Sequence, residues 1–365
     1  MDSRLSALSP QVDDSMDTKV TIKPGYPVVL RSYNPLIETD IRSFLQEIDR
    51  QLGPFLLKSM DRIPINTLLG EGIRYQIQGG GKRIRAALCA TVCEIFCGSY
   101  EPALDFAAAI EQLQNFTLIH DDIEDGDFER RGRPSTWKRF GLAHGINIGD
   151  VFASLSAFAI LEADYPPEMK LSLLRLICEL SLQVAEGQSL DISLRNNDSP
   201  TVEAYTECVR KKTGAFFAIA AVGGGMIGGA DQKSMESLQE FALQAGVAFQ
   251  IKDDLLDLVE GKGRQPGSDV FEGKRTLLVT YAWQSSSPHE RTRLFEILNK
   301  PRALKTQGEV VWVHDLFRRT KAYEQAERLA NQFINQAMGN LLDLPETPAK
   351  YRFIRLSKYL TSRVV

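Results

Sequence analysis

From Leu36 to the end of the chain, apolar residues return every three or four positions, with no recurring run of alternating β-branched residues. Ile41, Phe44, Leu45, Ile48 and Leu52 follow this spacing, and Phe106, Ala109, Ile110, Leu113 and Thr117 repeat it. Such a period puts one stripe on each helix, and packing against another element must bury that stripe. Leu171, Leu174, Ile177, Leu180, Leu182 and Val184 suggest a helix buried on more than one side, and 237–259 and 322–342 are further long candidates. GGG at 79–81, GDFERRGRP at 126–134, NNDSP at 196–200 and GKGRQPGSD at 261–269 break the pattern. The predicted fold class is all-α, a bundle of roughly ten or more helices over 36–365 in a single domain. Residues 1–35 hold four prolines and no lasting period, which predicts a polar, flexible tail. Within it, Pro24 and Pro27 limit VTIKPGYPVVL to a short strand edge.

The 43 basic and 47 acidic residues leave a net charge of −4, which argues against a nucleic-acid or anionic-membrane binder. A phosphate-bearing ligand must therefore be met by local basic groups or by metal cations. Five cysteines, an odd number, follow an N-terminus with four aspartates and no apolar core, so the expected location is cytoplasmic and the thiols reduced. The most apolar stretch, 216–230, has 15 residues and five glycines. A spanning helix needs about 20 apolar residues, so no transmembrane segment is expected. Cys89, Cys93 and Cys97 recur every fourth residue, as small buried groups on a helix do, and no fourth metal ligand accompanies them. The four histidines lack zinc-ligand spacing, and the three tryptophans suggest only core packing.

Two acidic clusters carry the chemistry. In DDIED, Asp121 and Asp125 share a helical face with Asp122 beside them; alone, this reads equally as a solvated acidic face or as a magnesium site. DDLLD repeats the spacing 132 residues later with Asp253, Asp254 and Asp257, inside the apolar run FQIKDDLLDLV and just after Gln250. A pair of such motifs is much harder to assign to surface than one. GGGKRIR places Gly81 before Lys82 and Arg85, a backbone that admits a close ligand, but it is not a Walker A loop. Arg130, Arg131 and Arg133 follow the first motif and either neutralise it or grip a diphosphate. KKTG, with Lys212 and Thr213, and the loop carrying Lys274 gain meaning only beside these. Taken together, the motifs suggest a metal cluster that pulls off a leaving group.

In these residues the chain resembles the trans-isoprenyl diphosphate synthases, the head-to-tail prenyltransferases, over about 40–362, and geranylgeranyl diphosphate synthases in particular. The resemblance implies an isoprenoid-synthase-type helical bundle around a deep central cavity, and a homodimer. It implies that Asp121, Asp122, Asp125 and Asp253 hold up to three Mg²⁺ against an allylic diphosphate, with Asp254 and Asp257 completing the second motif. Arg130, Lys212 and Lys274 would add charge to that leaving group, while Gly81, Lys82, Arg85, Gln114 and Arg131 would bind isopentenyl diphosphate. Gln114 lies seven residues before Asp121, where many members carry histidine and some glutamine. The implied reaction is ionisation, condensation and elimination, with Thr213 and Gln250 offering oxygen dipoles to the allylic cation. Relatives place a lysine four or five residues before the aspartate of the 267–269 loop; here those positions are Gln265 and Arg264.

Phe116 and Thr117, five and four residues before Asp121, occupy the positions where the family often sets product length. One aromatic at the fifth position without an insertion resembles the C20 pattern rather than the C15 one. On a helical wheel Phe116 stands about 140° from Asp121, which does not by itself place it under the motif. Among the alternatives, a class I terpene cyclase normally has an Asn/Asp-x-x-Ser/Thr-x-x-x-Glu second motif where this chain has DDLLD. A head-to-head synthase would be expected to lack GGGKRIR, and a non-catalytic subunit would tolerate loss of one motif. Farnesyl or longer-chain synthases remain the nearer alternatives.

Overall fold

The stripes read from the sequence become helices stacked around three central ones, over 104–124, 215–228 and 232–255. The computed structural model describes residues 35–60, 62–64, 66–257 and 266–361. The strand-edge reading, nearly all of the expected tail, and Arg264 and Gln265 lie outside the described residues. The chain runs through α1 (Pro35–Met60), α2 (Leu68–Gln78), α3 (Ile84–Cys97) and α4 (Leu104–Glu124) into a hairpin, β1 (Glu129–Arg130) and β2 (Arg133–Pro134). Next come α5 (Thr136–Phe140), α6 (Leu142–Glu162), α7 (Pro167–Leu194) and α8 (Val202–Val209). A π turn (Arg210–Gly214) leads into α9 (Ala215–Gly228) and α10 (Gln232–Leu255). The chain closes with α11 (Ser268–Glu272), α12 (Leu277–Ser285), α13 (Pro288–Leu298), α14 (Gln307–Arg319), α15 (Ala322–Gly339) and α16 (Pro348–Thr361).

The α1 stripe is buried as expected: Ile41, Leu45, Ile48 and Leu52 pack in the largest core cluster with α3, α4, α9, α10 and α16. A second cluster joins the end of α10 to α12–α15, and a smaller one joins α2, the end of α4 and α6. The apolar run of α9 is the centre of the main cluster, with every residue from Ala215 to Gly225 buried. Cys89 and Cys93 are buried as expected, whereas Cys97 is exposed; all five cysteines are free.

The structure corrects four local readings. The breaker at 126–134 is a hairpin with Glu129 opposite Pro134 and a two-residue turn at Arg131 and Gly132, both at positive φ. Trp137 does more than fill core, because its Nε1 donates to the Asp127 carbonyl at 2.9 Å and holds that hairpin. The α7 stripe is covered on one face only: Leu173, Ile177 and Leu180 are buried, while Leu171 and Leu182 face outward. Among the described residues it is α6, not 216–230, that is long and apolar enough to cross a membrane. That helix buries Ile148, Phe152, Leu155 and Ile160 within the protein.

The π turn is held from two sides. Its backbone passes so close to α7 and α10 that a Cβ at Gly187 would collide with the Lys212 backbone, and one at Gly246 with that of Gly214. Two glycines on facing helices thus clamp the segment that carries Lys212 and Thr213, and π turns of this kind recur at functional sites.

Candidate active site

The site assembles where α4 and α10 end. Asp122 is 1% exposed and accepts from Arg130 Nε at 2.8 Å, so the hairpin supplies the counter-ion for the most buried acid of the first motif. Asp125 accepts from Arg195 Nη2 at 2.6 Å and from Lys274 Nζ at 3.2 Å. Burial alone would raise its pKa, but the charges of Lys274, Arg195 and Lys212 outweigh that and hold it well below the usual carboxylate range. Asp121 is more open, with Lys212 Nζ 3.8 Å away and that lysine donating to Asp191 at 3.0 Å. Lys274 is also paired with Glu272, which burial pushes up to about 7.

The second motif divides its labour. Asp253 is half-buried at the end of α10. Asp254 accepts from Tyr205 Oη at 2.7 Å and Gln250 Nε2 at 2.9 Å, and burial followed by the charge of Asp269 pushes its pKa up to about 8. Asp257 turns away, accepting from Ser268 Oγ at 3.0 Å and the Asp269 amide at 3.3 Å, and so anchors the start of α11. Gln250 Oε1 in turn accepts from Thr213 Oγ1 at 3.1 Å. The two motifs are therefore bridged by a short relay: Asp121 to Lys212, the adjacent Thr213 to Gln250, and Gln250 to Asp254.

A basic group lies beyond the hairpin. A Cβ at Gly79 would approach the Arg133 guanidinium at 2.8 Å, and one at Gly81 would approach that of Arg131 at 3.2 Å, so the glycine loop makes room for the hairpin arginines. Arg83 and Arg131 both adopt positive φ, a strained geometry for non-glycine residues that clusters at functional sites. Desolvation, then the charges of Arg83 and Arg130, lower Arg131 to about 10, an environment that favours an anion. Lys82 is exposed, Arg85 lies 4.7 Å above the Phe216 ring, and the half-buried Gln114 has its Oε1 without a hydrogen-bond partner. Phe116 packs between the first and third core clusters, its ring 4.7 Å from that of His120, and Thr117 Oγ1 donates to the Gln114 carbonyl.

Sequence reasoning missed Asp191, Arg195, Tyr205, Glu272 and Arg302. Asp191 was legible in principle, since GQSLD puts it three residues after Gln188 on α7, near the same site. Arg302 had no local signal. Among the described residues, carboxylate oxygens of Asp125, Asp127 and Glu272 lie within 4.8 Å of one another, and of the expected ligand set this group contains Asp125 alone.

An acid-rich helix end facing lysines, with a second acidic helix end and a separate arginine cluster alongside, offers both carboxylates and cations to a charged ligand. The polyprenyl synthetase family model matches residues 66–317. A geranylgeranyl pyrophosphate synthase from Geoglobus acetivorans is 34% identical over 80% of this chain and 89% of its own length. A short chain isoprenyl diphosphate synthase from Methanothermobacter thermautotrophicus is 32% identical over 92% of this chain and 98% of its own. The solved geranylgeranyl pyrophosphate synthetase of Pyrococcus horikoshii superposes with a TM-score of 0.80 at 31% identity, over 89% of this chain and all of that one. The chain belongs to the polyprenyl synthetase family: it is a trans-prenyltransferase with the all-α isoprenoid-synthase fold.

Proposed function

We propose that the protein joins isopentenyl diphosphate head to tail to allylic diphosphates and that geranylgeranyl diphosphate is its main product. The relay from Asp121 through Lys212, Thr213 and Gln250 to Asp254 carries this reading, because it links the two acidic motifs through side chains in contact. The relatives named above support the C20 product, and so does the single aromatic, Phe116, before the first motif.

The carboxylates at the acidic ends offer hard oxygen ligands, among them those of Asp125, Asp127 and Glu272, which suit Mg²⁺. Asp121, Asp122, Asp125 and Asp253 would hold up to three such ions, and when bound they would neutralise charge on the departing diphosphate. Lys212 and Lys274 now rest on Asp121, Asp191, Asp125 and Glu272, and they can turn from these acids to the phosphate oxygens. Arg130 orients the buried Asp122. Lys82, Arg85, Gln114 and Arg131 would take isopentenyl diphosphate beside Gly81, whose missing side chain leaves room for the Arg131 guanidinium. Thr213 and Gln250, aligned by their mutual bond, present oxygen dipoles to positive charge developing on the allyl group. Asp254, buried and hydrogen-bonded, positions Gln250, and Asp257 fixes the loop beyond it.

We also read 36–365 as one domain, since α10 lends Phe241 to the main cluster and Val247 and Ile251 to the second. The outward apolar residues of α6 and α7, including Phe158, Leu161, Leu171 and Leu182, favour a homodimer, and five free thiols suit a reducing cytoplasm.

The deciding experiment supplies Mg²⁺, isopentenyl diphosphate and, in turn, C5, C10 and C15 allylic primers. Chromatography should show C20 as the dominant product. A dominant C15 or longer product would correct the length alone, and no condensation with any primer would overturn the reading.

A further inference from the structure

The C-terminal end of α4 is electrostatically unfavourable by construction. A helix C-terminus already carries partial negative charge and unpaired carbonyls. Here Asp121, Asp122, Glu124 and Asp125 crowd onto it, Asp127 follows, and the last turn holds no basic residue. Its cations must come from elsewhere in the chain. Lys212 and Lys274 belong to motifs already assigned to a diphosphate ligand, so a bound substrate can draw them away from the helix end, while Arg130 and Arg195 meet only the side chains of Asp122 and Asp125 there.

Arg302 is different. It lies on the 3₁₀ turn Arg302–Leu304 between α13 and α14, and its Nη1 donates to the Asp125 backbone carbonyl at 2.8 Å and to Asp127 Oδ1 at 3.0 Å. It therefore satisfies a carbonyl at the helix end and one of the excess acids at once. The turn that carries it is itself tied down. Thr306 and Glu309 form a capping box that starts α14, Lys300 pairs with Glu309, and Lys305 Nζ donates to the Phe271 carbonyl at 2.8 Å. Arg275 braces the same region by donating to Asn299 Oδ1 at 2.6 Å and to the Asn197 carbonyl at 3.1 Å. A cavity of about 360 Å³, lined by Asp125, Arg195, Glu272 and Arg302 among others, lies alongside.

We propose that Arg302 is a positioning residue, a cap supplied from 177 residues away that fixes the last turn of α4 and so the directions in which Asp121 and Asp125 point. The proposal rests on the reading of that helix end as a metal–diphosphate site.

The test reads metal uptake directly, by loss of the free-Mn²⁺ electron paramagnetic resonance signal at fixed inorganic diphosphate. Isopentenyl diphosphate binding is measured separately by calorimetry without metal. Arg302→Met should need about tenfold more Mn²⁺ for half-loading, the scale of one lost charge-assisted hydrogen bond. Arg302→Lys, which keeps a donor and the charge, should stay near wild type, and isopentenyl diphosphate affinity should change by less than about twofold in both, because that site lies on other elements. Unchanged Mn²⁺ uptake in Arg302→Met overturns the proposal, as does an equal loss of isopentenyl diphosphate affinity, which would mean general loosening. If Arg302→Met does not fold, Arg302→Gln is read by the same criteria. Failure of the wild-type protein to take up Mn²⁺ with diphosphate would instead bring down the metal-site reading itself.

Discussion

At the scale of single residues, Phe116 is where the proposed control of product length can be tested, because its surroundings are packed. Its ring is held from one side by His120 and sits between two core clusters, so it cannot swing freely. Removing it opens volume that close packing otherwise denies to a growing chain. Phe116→Ala should therefore shift the product toward C25 and longer, as read by chromatography of the dephosphorylated alcohols, and an unchanged distribution would remove Phe116 as the ruler. The acids of both motifs and the cations around them were legible in the sequence because like charges on a helical face call for a reason. Arg195 and Arg302 were not, because each meets Asp125 across a long stretch of chain from a segment with no motif of its own.

At the scale of elements, the periodic helices were legible and the irregular ones were not. The stripe of α1 and the run of α4 lie where the spacing put them. The hairpin at 129–134 was hidden because two residues per strand give no alternation, and the π turn because its extra residue leaves no compositional mark. On α14, His314 is buried with Nδ1 2.6 Å from Tyr323 Oη; desolvation, then the charge of Arg318, lowers its pKa to about 3. A histidine kept neutral in the fold but free to protonate when unfolded stabilises the protein fully above the unfolded pKa near 6.5, and that stability is lost as pH falls below it. At pH 5 the loss amounts to about 2 kcal/mol. His314→Gln should flatten the fall in Tm between pH 7 and pH 5, measured by calorimetric scans of both proteins, whereas parallel pH profiles would assign the acid sensitivity elsewhere.

At the scale of the whole molecule, two features govern behaviour. The outward apolar face of α6 and α7 should be covered by a second copy, so Phe158→Glu should move the protein toward monomer in light scattering after size exclusion, with little change in helicity. A monomeric wild type would refute the homodimer. The second feature is charge balance. Asp122, Asp125 and Asp127 are each already paired with a lysine or arginine of the same chain, and Asp121 has Lys212 nearby. Chelation should therefore abolish condensation while leaving the far-ultraviolet circular dichroism spectrum and Tm nearly unchanged, and loss of helicity on chelation would show the acids to depend on metal for folding. A protein that carries its own counter-ions would outlast a shortage of its activator: with magnesium scarce, turnover would stop while the scaffold waits intact, and supply would restart synthesis without building new enzyme.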